Sequence, residues 1–371
     1  MSRRLYYIDW LRVLAVLLLF PFHTSRVFNF GEAFYVKSTH IWAWINVAIG
    51  FVDRWHMPLL FLLAGSSAFL SLTKRTTSEF TRERLLRLGV PLVFGILVIM
   101  VPQTWVGAHF NSGSTESIWR YIVSLDFLRW NIRGGGDYYG GFGVGHLWFI
   151  LFLLVFSLVA MPLFSWGRSE PGRGRLQGWA RRLARPAWWL LPPLILWFTE
   201  GMPDFFGKKI FYFLAFFVLG YILVADETFA ATAKRYRFPA LAAGTILTAA
   251  YIASWQMRDA LADPSLPLFA VNYAGMLGVW TILIGMLGAG RRYLDTPSAT
   301  LAYLAEASYP LYILHQTVIV VVGWFVVRTS MGGALQWVAV LTGSVAVSFA
   351  MYEIVRRVGV LRFLFGMRPA R

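Results

Sequence analysis

Ionisable side chains are costly inside apolar helices, so the places where this chain keeps them are candidates for chemistry. The first apolar run, Ile8 to Phe28, contains Asp9, Arg12 and, eleven residues beyond Arg12, His23. Eleven residues are just over three helical turns, so Arg12 and His23 share a face, with Asp9 one turn before Arg12. An imidazole takes and returns protons near neutral pH, and a guanidinium is a fixed positive charge. Pro21, two residues before His23, frees the carbonyl one turn back and is expected to kink the helix there. His23 lies 19 residues beyond Arg4, ~28 Å at helical rise, so it falls near the outer end of this run. That placement suits chemistry on an acceptor delivered from outside. The competing reading is structural: Arg12 snorkels inward and His23 caps an interhelical hydrogen bond.

Four further clusters follow in the chain. Arg54-Trp55-His56-Met57-Pro58-Leu59-Leu60-Phe61 sets a histidine beside another helix-kinking proline. Arg54 and His56 serve either catalysis or pairing with Asp53 or Asp9. Arg84 and Arg87, one turn apart, can grip one phosphate bidentately; composition alone favours plain anchoring of an inner loop. A long outer loop, about 107–144, holds Asp126, Arg129, Arg133, a glycine-rich stretch with Asp137, Tyr138 and Tyr139, and leads into Gly145-His146-Leu147-Trp148-Phe149. Its glycines make it pliable. Its aromatic and acidic residues suit either a sugar-binding lid or an interfacial belt. Finally, Ser308, Tyr312 and His315 recur at helical spacing, a hydroxyl-phenol-imidazole row on one face. That row lines a polar cavity or forms a hydrogen-bond ladder between helices.

The elements that position these groups follow from composition. The chain is 58% hydrophobic and 14% charged, with a mean hydropathy of +0.59. This describes an all-α, polytopic membrane helical bundle. Windows of about 20 apolar residues give ten spans, near 8–28, 42–72, 88–106, 145–165, 187–200, 209–225, 238–257, 268–289, 299–327 and 335–355. The first is expected to stay in place, since charges interrupt it and no small-residue cleavage site follows. Of the 34 Lys and Arg, 23 fall in the segments that become cytoplasmic if the N-terminus is inside, and 8 in the outer ones. That asymmetry predicts both termini in the cytoplasm. It also assigns the net charge of +16 to topology and anionic lipid rather than nucleic acid. With no cysteine, thiolate catalysis, disulfides and Cys-based metal sites are excluded. No two histidines stand at i, i+4, so no metal is expected. One membrane domain, 1–371, is expected.

Taken together, these motifs resemble the acyltransferase-3 family of membrane enzymes. The matching features are Arg12 with His23 at the basic-x10-His spacing, Met57-Pro58-Leu59-Leu60-Phe61 through Gly65, and Arg84-x-x-Arg87. His146-Leu147-Trp148-Phe149 and Ser308-Tyr309-x-x-Tyr312-x-x-His315 follow in the family's order. The chain departs from the pattern at His56, before Met57-Pro58, and at Ala64, where a serine is common. The resemblance implies about ten helices in a bacterial inner membrane. It implies transfer of an acetyl or succinyl group from acyl-CoA, a co-substrate and not a resident cofactor, to a carbohydrate or other hydroxyl acceptor. Some relatives modify periplasmic glucans; others modify O-antigen or antibiotics. It makes His23 the main catalytic residue, supported by Arg12, and Arg84 with Arg87 a CoA-phosphate site. Tyr312, His315 or His146 would stabilise the oxyanion, and Trp148, Ser308 and His56 would line the substrate path. No esterase-like domain is expected, so transfer should be direct. A transporter or flippase would use the same buried charges as a path, but no repeated halves support it.

Overall fold

The computed structural model describes residues 4–129, 136–254, 263 and 265–369. Arg3, Arg133, Gly134, Gly135, Arg258 and Arg371 lie outside them. Helices dominate, and an isolated bridge between Phe205 and Lys208 is the extended pairing among the described residues. The protein is an all-α polytopic bundle.

Helix α1 is Tyr6–Phe28 and α2 is Ala43–Leu72, a single 30-residue helix despite Pro58. The third expected span starts earlier than hydropathy indicates, at Thr77. It runs as α3, Thr77–Ile99, then bends by 42° into α4, Val101–Ser112. A capping box opens α3: the Thr76 backbone N–H donates to Glu79 at 2.8 Å, and the Glu79 N–H donates to the Thr76 hydroxyl at 3.3 Å. Leu85–Gly89 and Gly95–Ile99 within α3 are π-helical. A short α5, Ile118–Val123, precedes α6, Gly145–Val159, which bends by 48° into α7, Met161–Arg168. Basic, surface-lying α8 is Glu170–Leu183. The window at 187–200 resolves into a 3-10 turn, Pro186–Leu190, and the ten-residue α9, Leu191–Glu200. Alone, α9 reaches ~15 Å, half a hydrocarbon core. Then come α10 (Ile210–Leu223), α11 (Glu227–Arg235), α12 (Arg237–Ala253), α13 (Leu266–Tyr293), α14 (Ala299–Val326), α15 (Gly333–Val355) and α16 (Gly359–Leu364). Among the described residues, five single helices are long and apolar enough to cross a membrane, or eight elements if each of three bent pairs is one span; the 17-residue α12 is shorter.

The residues group into two compact units, each built from three stretches of chain. One comprises 1–15, 50–82 and 155–302; the other 16–49, 83–154 and 303–371. In the first unit, α2 and α10 meet backbone to backbone. A Cβ on Gly65 would lie 1.8 Å from the Phe217 carbonyl oxygen, and one on Gly220 would lie 1.9 Å from that of Leu62. The Ser66 hydroxyl donates to the Gly220 carbonyl at 3.0 Å. Small residues that admit such approach, with a hydroxyl bridging the helices, are how apolar helices associate where lipid removes the hydrophobic drive.

A methyl group at Gly220 cannot be housed without separating these helices. Gly220→Ala should cost about 1–3 kcal/mol, as overpacking does. Thermal unfolding of the detergent-purified protein should fall by several degrees; an unchanged midpoint would contradict the close approach.

Candidate active site

The second unit gathers three of the histidines singled out in the sequence. His23 on α1 is half-buried, whereas His315 on α14 and His146 at the start of α6 are buried. The His315 ring lies 5.1 Å between centroids from both His23 and His146. Tyr312 completes the group, 5.7 Å from His315 and 6.1 Å from His146. Phe20, one turn before His23, packs edge-on against His315.

Backbone carbonyls set the proton positions. His315 Nδ1 lies 2.6 Å from the carbonyl of Tyr312 and, as donor, leaves Nε2 as the basic nitrogen. His146 Nε2 lies 2.9 Å from the carbonyl of Ile313; donating there leaves Nδ1 unprotonated, buried and, among the described residues, without a hydrogen-bond partner. The Tyr312 hydroxyl donates to the backbone carbonyl of His146. Thus α6 and α14 hold each other reciprocally: a phenol from α14 caps the α6 start, and an imidazole from α6 serves an α14 carbonyl. Each of these carbonyls has a second lone pair, with which it accepts a side-chain bond beside any backbone one. Tyr312 and His146 were expected as oxyanion donors, but both protons are engaged in this lock. Ser308 donates to the carbonyl of Ala305 at 3.0 Å, so its hydroxyl serves its own helix. Trp148 packs edge-on against Phe152 one turn on.

A second polar structure surrounds this cluster, and the sequence reading missed it. The Thr317 hydroxyl donates to Gln103 Oε1 at 2.9 Å; Gln103 Nε2 donates to the Tyr35 hydroxyl at 3.1 Å; and Tyr35 donates to Asp137. All three bonds point the same way and end on a carboxylate, the arrangement in which successive bonds strengthen one another. Burial, reinforced by Asp137, raises Tyr35 well above the usual phenol range, so it stays a donor. The neighbouring Phe34 ring stacks on His23, with planes 17° apart and centroids 6.2 Å apart. Asn111 fixes this wall by donating to the carbonyls of Phe34 and Tyr138 at 2.9 and 2.8 Å. The outer loop is therefore clamped onto the end of α4. Gly140, at φ +88°, takes a conformation that a side chain would strain. Gln103 and Thr317, hydrogen-bonding residues inside apolar runs, were the available signal.

Other expected site residues are placed elsewhere. Arg12, in the first unit, bonds Asp9 at 3.0 Å and the Ser67 hydroxyl at 2.6 Å. It is ~16 Å along the α1 axis from His23, and its observed partners tie α1 to α2. His56 is buried with Nε2 2.7 Å from the carbonyl of Ala15, an interhelical bond in the first unit. Arg87 bonds Glu83 at 3.0 Å and the Gly366 carbonyl at 2.9 Å. The wider π-turn at Leu85–Gly89 aligns i with i+4 better than i with i+3. Arg87 accordingly faces Glu83, while Arg84 and Arg87 both act electrostatically on Tyr309. Among the described residues no cluster of His, Asp and Glu could hold a metal.

Gln103→Leu should leave the Thr317 hydroxyl buried and unpaired, at a cost of about 1–3 kcal/mol. Adding Thr317→Val removes the orphan and should return part of that stability. Paired melting curves test it; a double variant no more stable than Gln103→Leu alone would show that the chain of bonds is not coupled.

Comparison with known proteins places this arrangement. Glucans biosynthesis protein C of Salmonella paratyphi B is 23% identical over 386 residues, covering 99% of this chain and 95% of the relative. The protein of the same name from Salmonella agona matches equally. No solved structure matches. The acyltransferase-3 family, described as an acyltransferase domain, matches residues 5–353, nearly the whole chain, with the His23, His146 and His315 cluster inside that range. The chain belongs to the acyltransferase-3 family and is a membrane acyltransferase.

Proposed function

We propose that this acyltransferase moves an acyl group, acetyl or succinyl, from cytoplasmic acyl-CoA to a hydroxyl of a carbohydrate at the outer side of a bacterial inner membrane. The observation that carries this reading is the packing of His23 against His315, with only His23 of the three histidines half-exposed. The printed name of the relatives, glucans biosynthesis, supports a glucan as the acceptor. The Lys and Arg asymmetry supports cytoplasmic termini.

In this mechanism His23 takes the proton of the acceptor hydroxyl as its oxygen attacks the thioester carbon. The carbon–sulfur bond then breaks, and His23 returns the proton to the departing CoA thiolate. Atoms and charges balance with no further reactant. Neutral His23 is required at the outset. His315, with Nδ1–H held by the Tyr312 carbonyl, turns a basic Nε2 to its surroundings. With a proton taken up there from solvent before the acceptor binds, and kept through the cycle, it is a donor to the oxyanion of the tetrahedral intermediate. Tyr312 and His146 hold the two helices in register beneath it. Arg84 and Arg87 are proposed to take the CoA phosphates, Arg87 exchanging its bond to Glu83 for one to phosphate. Arg12 is proposed to support His23 by anchoring α1.

Membranes bearing wild type or His23→Ala, given labelled acetyl-CoA and succinyl-CoA, should differ by about two to four orders of magnitude in label reaching a carbohydrate fraction. Retained transfer in the variant would remove His23 from the mechanism. Replacing both Arg84 and Arg87 by alanine should raise the apparent KM for acyl-CoA at least tenfold. An unchanged KM would dismiss the phosphate site.

A further inference from the structure

Arg54 stands apart from everything the mechanism uses. It belongs to the first unit, on α2, and among the described residues its guanidinium is hydrogen-bonded along one edge. Nη1 lies 3.3 Å from Glu200 Oε1 at the last residue of α9. Its Cζ sits 4.4 Å from the centre of the Tyr251 ring near the end of α12. The opposite edge, Nε with Nη2, is buried and has no hydrogen-bond partner among the described residues. Tyr212, in the first turn of α10, is buried close enough to interact electrostatically with Arg54, Glu200 and Asp53.

A buried charged donor left unpaired is costly, and native proteins rarely keep one without a ligand, ion or water to serve it. The geometry limits what the ligand is. Nε and Nη2 are parallel donors suited to two adjacent oxygens. Glu200 already neutralises the one guanidinium, so a phosphate or carboxylate would meet no net positive charge. Neutral oxygens need none: vicinal hydroxyls accept from the guanidinium edge and donate to the Glu200 carboxylate. The members stand at the C-terminal end of α9, the first turn of α10 and the last turn of α12, where helices end.

We propose that Arg54, Glu200 and the Tyr251 ring form a saccharide-binding site for a vicinal diol of a neutral sugar residue. It deepens the reading above, on which it rests for the carbohydrate acceptor, by giving a long acceptor a second point of attachment. Phosphatidylglycerol also carries a vicinal diol, but its phosphate brings a charge that the paired Arg54 and Glu200 do not balance.

The test uses the full chain in detergent with laminarihexaose and maltohexaose as probes and binding measured calorimetrically. At least one hexaose should bind wild type, and Arg54→Lys, which keeps the charge but loses the fork, should weaken it at least tenfold. Glu200→Gln, nearly isosteric, should also weaken it while leaving the melting temperature within a few degrees. In transfer assays Arg54→Lys should raise the apparent KM for the hexaose at least tenfold more than that for methyl glucoside. Absence of hexaose binding to wild type, equal affinity in the folded variants, or displacement of Arg54-dependent binding by phosphatidylglycerol in place of sugar would overturn the site. Hexaose binding through Arg54 with no acyl transfer to any saccharide would uphold the site and sink the acyl-transfer reading.

Discussion

The donation from Tyr312 to the backbone carbonyl of His146, answered by His146 bonding the carbonyl of Ile313, is the interaction on which the candidate site depends. Within an apolar bundle neither group finds water, so the alternative to this bond is an orphaned dipole. The lock does more than satisfy two residues. It fixes the rotation of α14 against the start of α6, and that rotation aims His315 at His23. It also fixes the neutral tautomer of His146, because a ring nitrogen bonded to a carbonyl must carry the proton. Positions and proton states are thus set by backbone atoms, which no substitution can remove.

The same economy governs the outer boundary of the unit. The bonds from Thr317 through Gln103 and Tyr35 to Asp137 tie a residue two places after His315 to the loop leading into α6. Phe34, held beside Tyr35, lies flat on His23. The neighbours of this aromatic wall beside His23 are bonded rather than merely packed.

Much of the scaffold was legible because its cause is local. Runs of apolar residues of membrane length, interrupted by charges of one sign, specify helices and loops with little reference to the rest of the chain. The expense of burying His23, His146 and His315 marked them before any fold was known. What could not be read was which partner each buried polar residue takes. His56 and Arg12 carry the same signal as His23, yet Ala15, Asp9 and Ser67 engage them. That distinction depends on partners far apart in sequence. So does the pairing of Tyr35 with Asp137, which joins residues 102 positions apart. The window at 187–200 was already short for a span, but composition alone did not show that a 3-10 turn opens it.

The π-helical stretches of α3 give the family spacing a different meaning. A turn closed by i→i+5 bonds holds one residue more than an α-turn over the same path. Leu85–Gly89 therefore carries a residue that a regular helix would have no room for, and Gly95–Ile99 carries another. Deleting one residue from the first stretch would leave hydropathy almost untouched while swinging Arg84 by about 100° relative to everything after it. For this segment, insertions and deletions act as rotations. Two relatives with identical arginine motifs can present them to different sides of the membrane helix if one has gained or lost a single residue there.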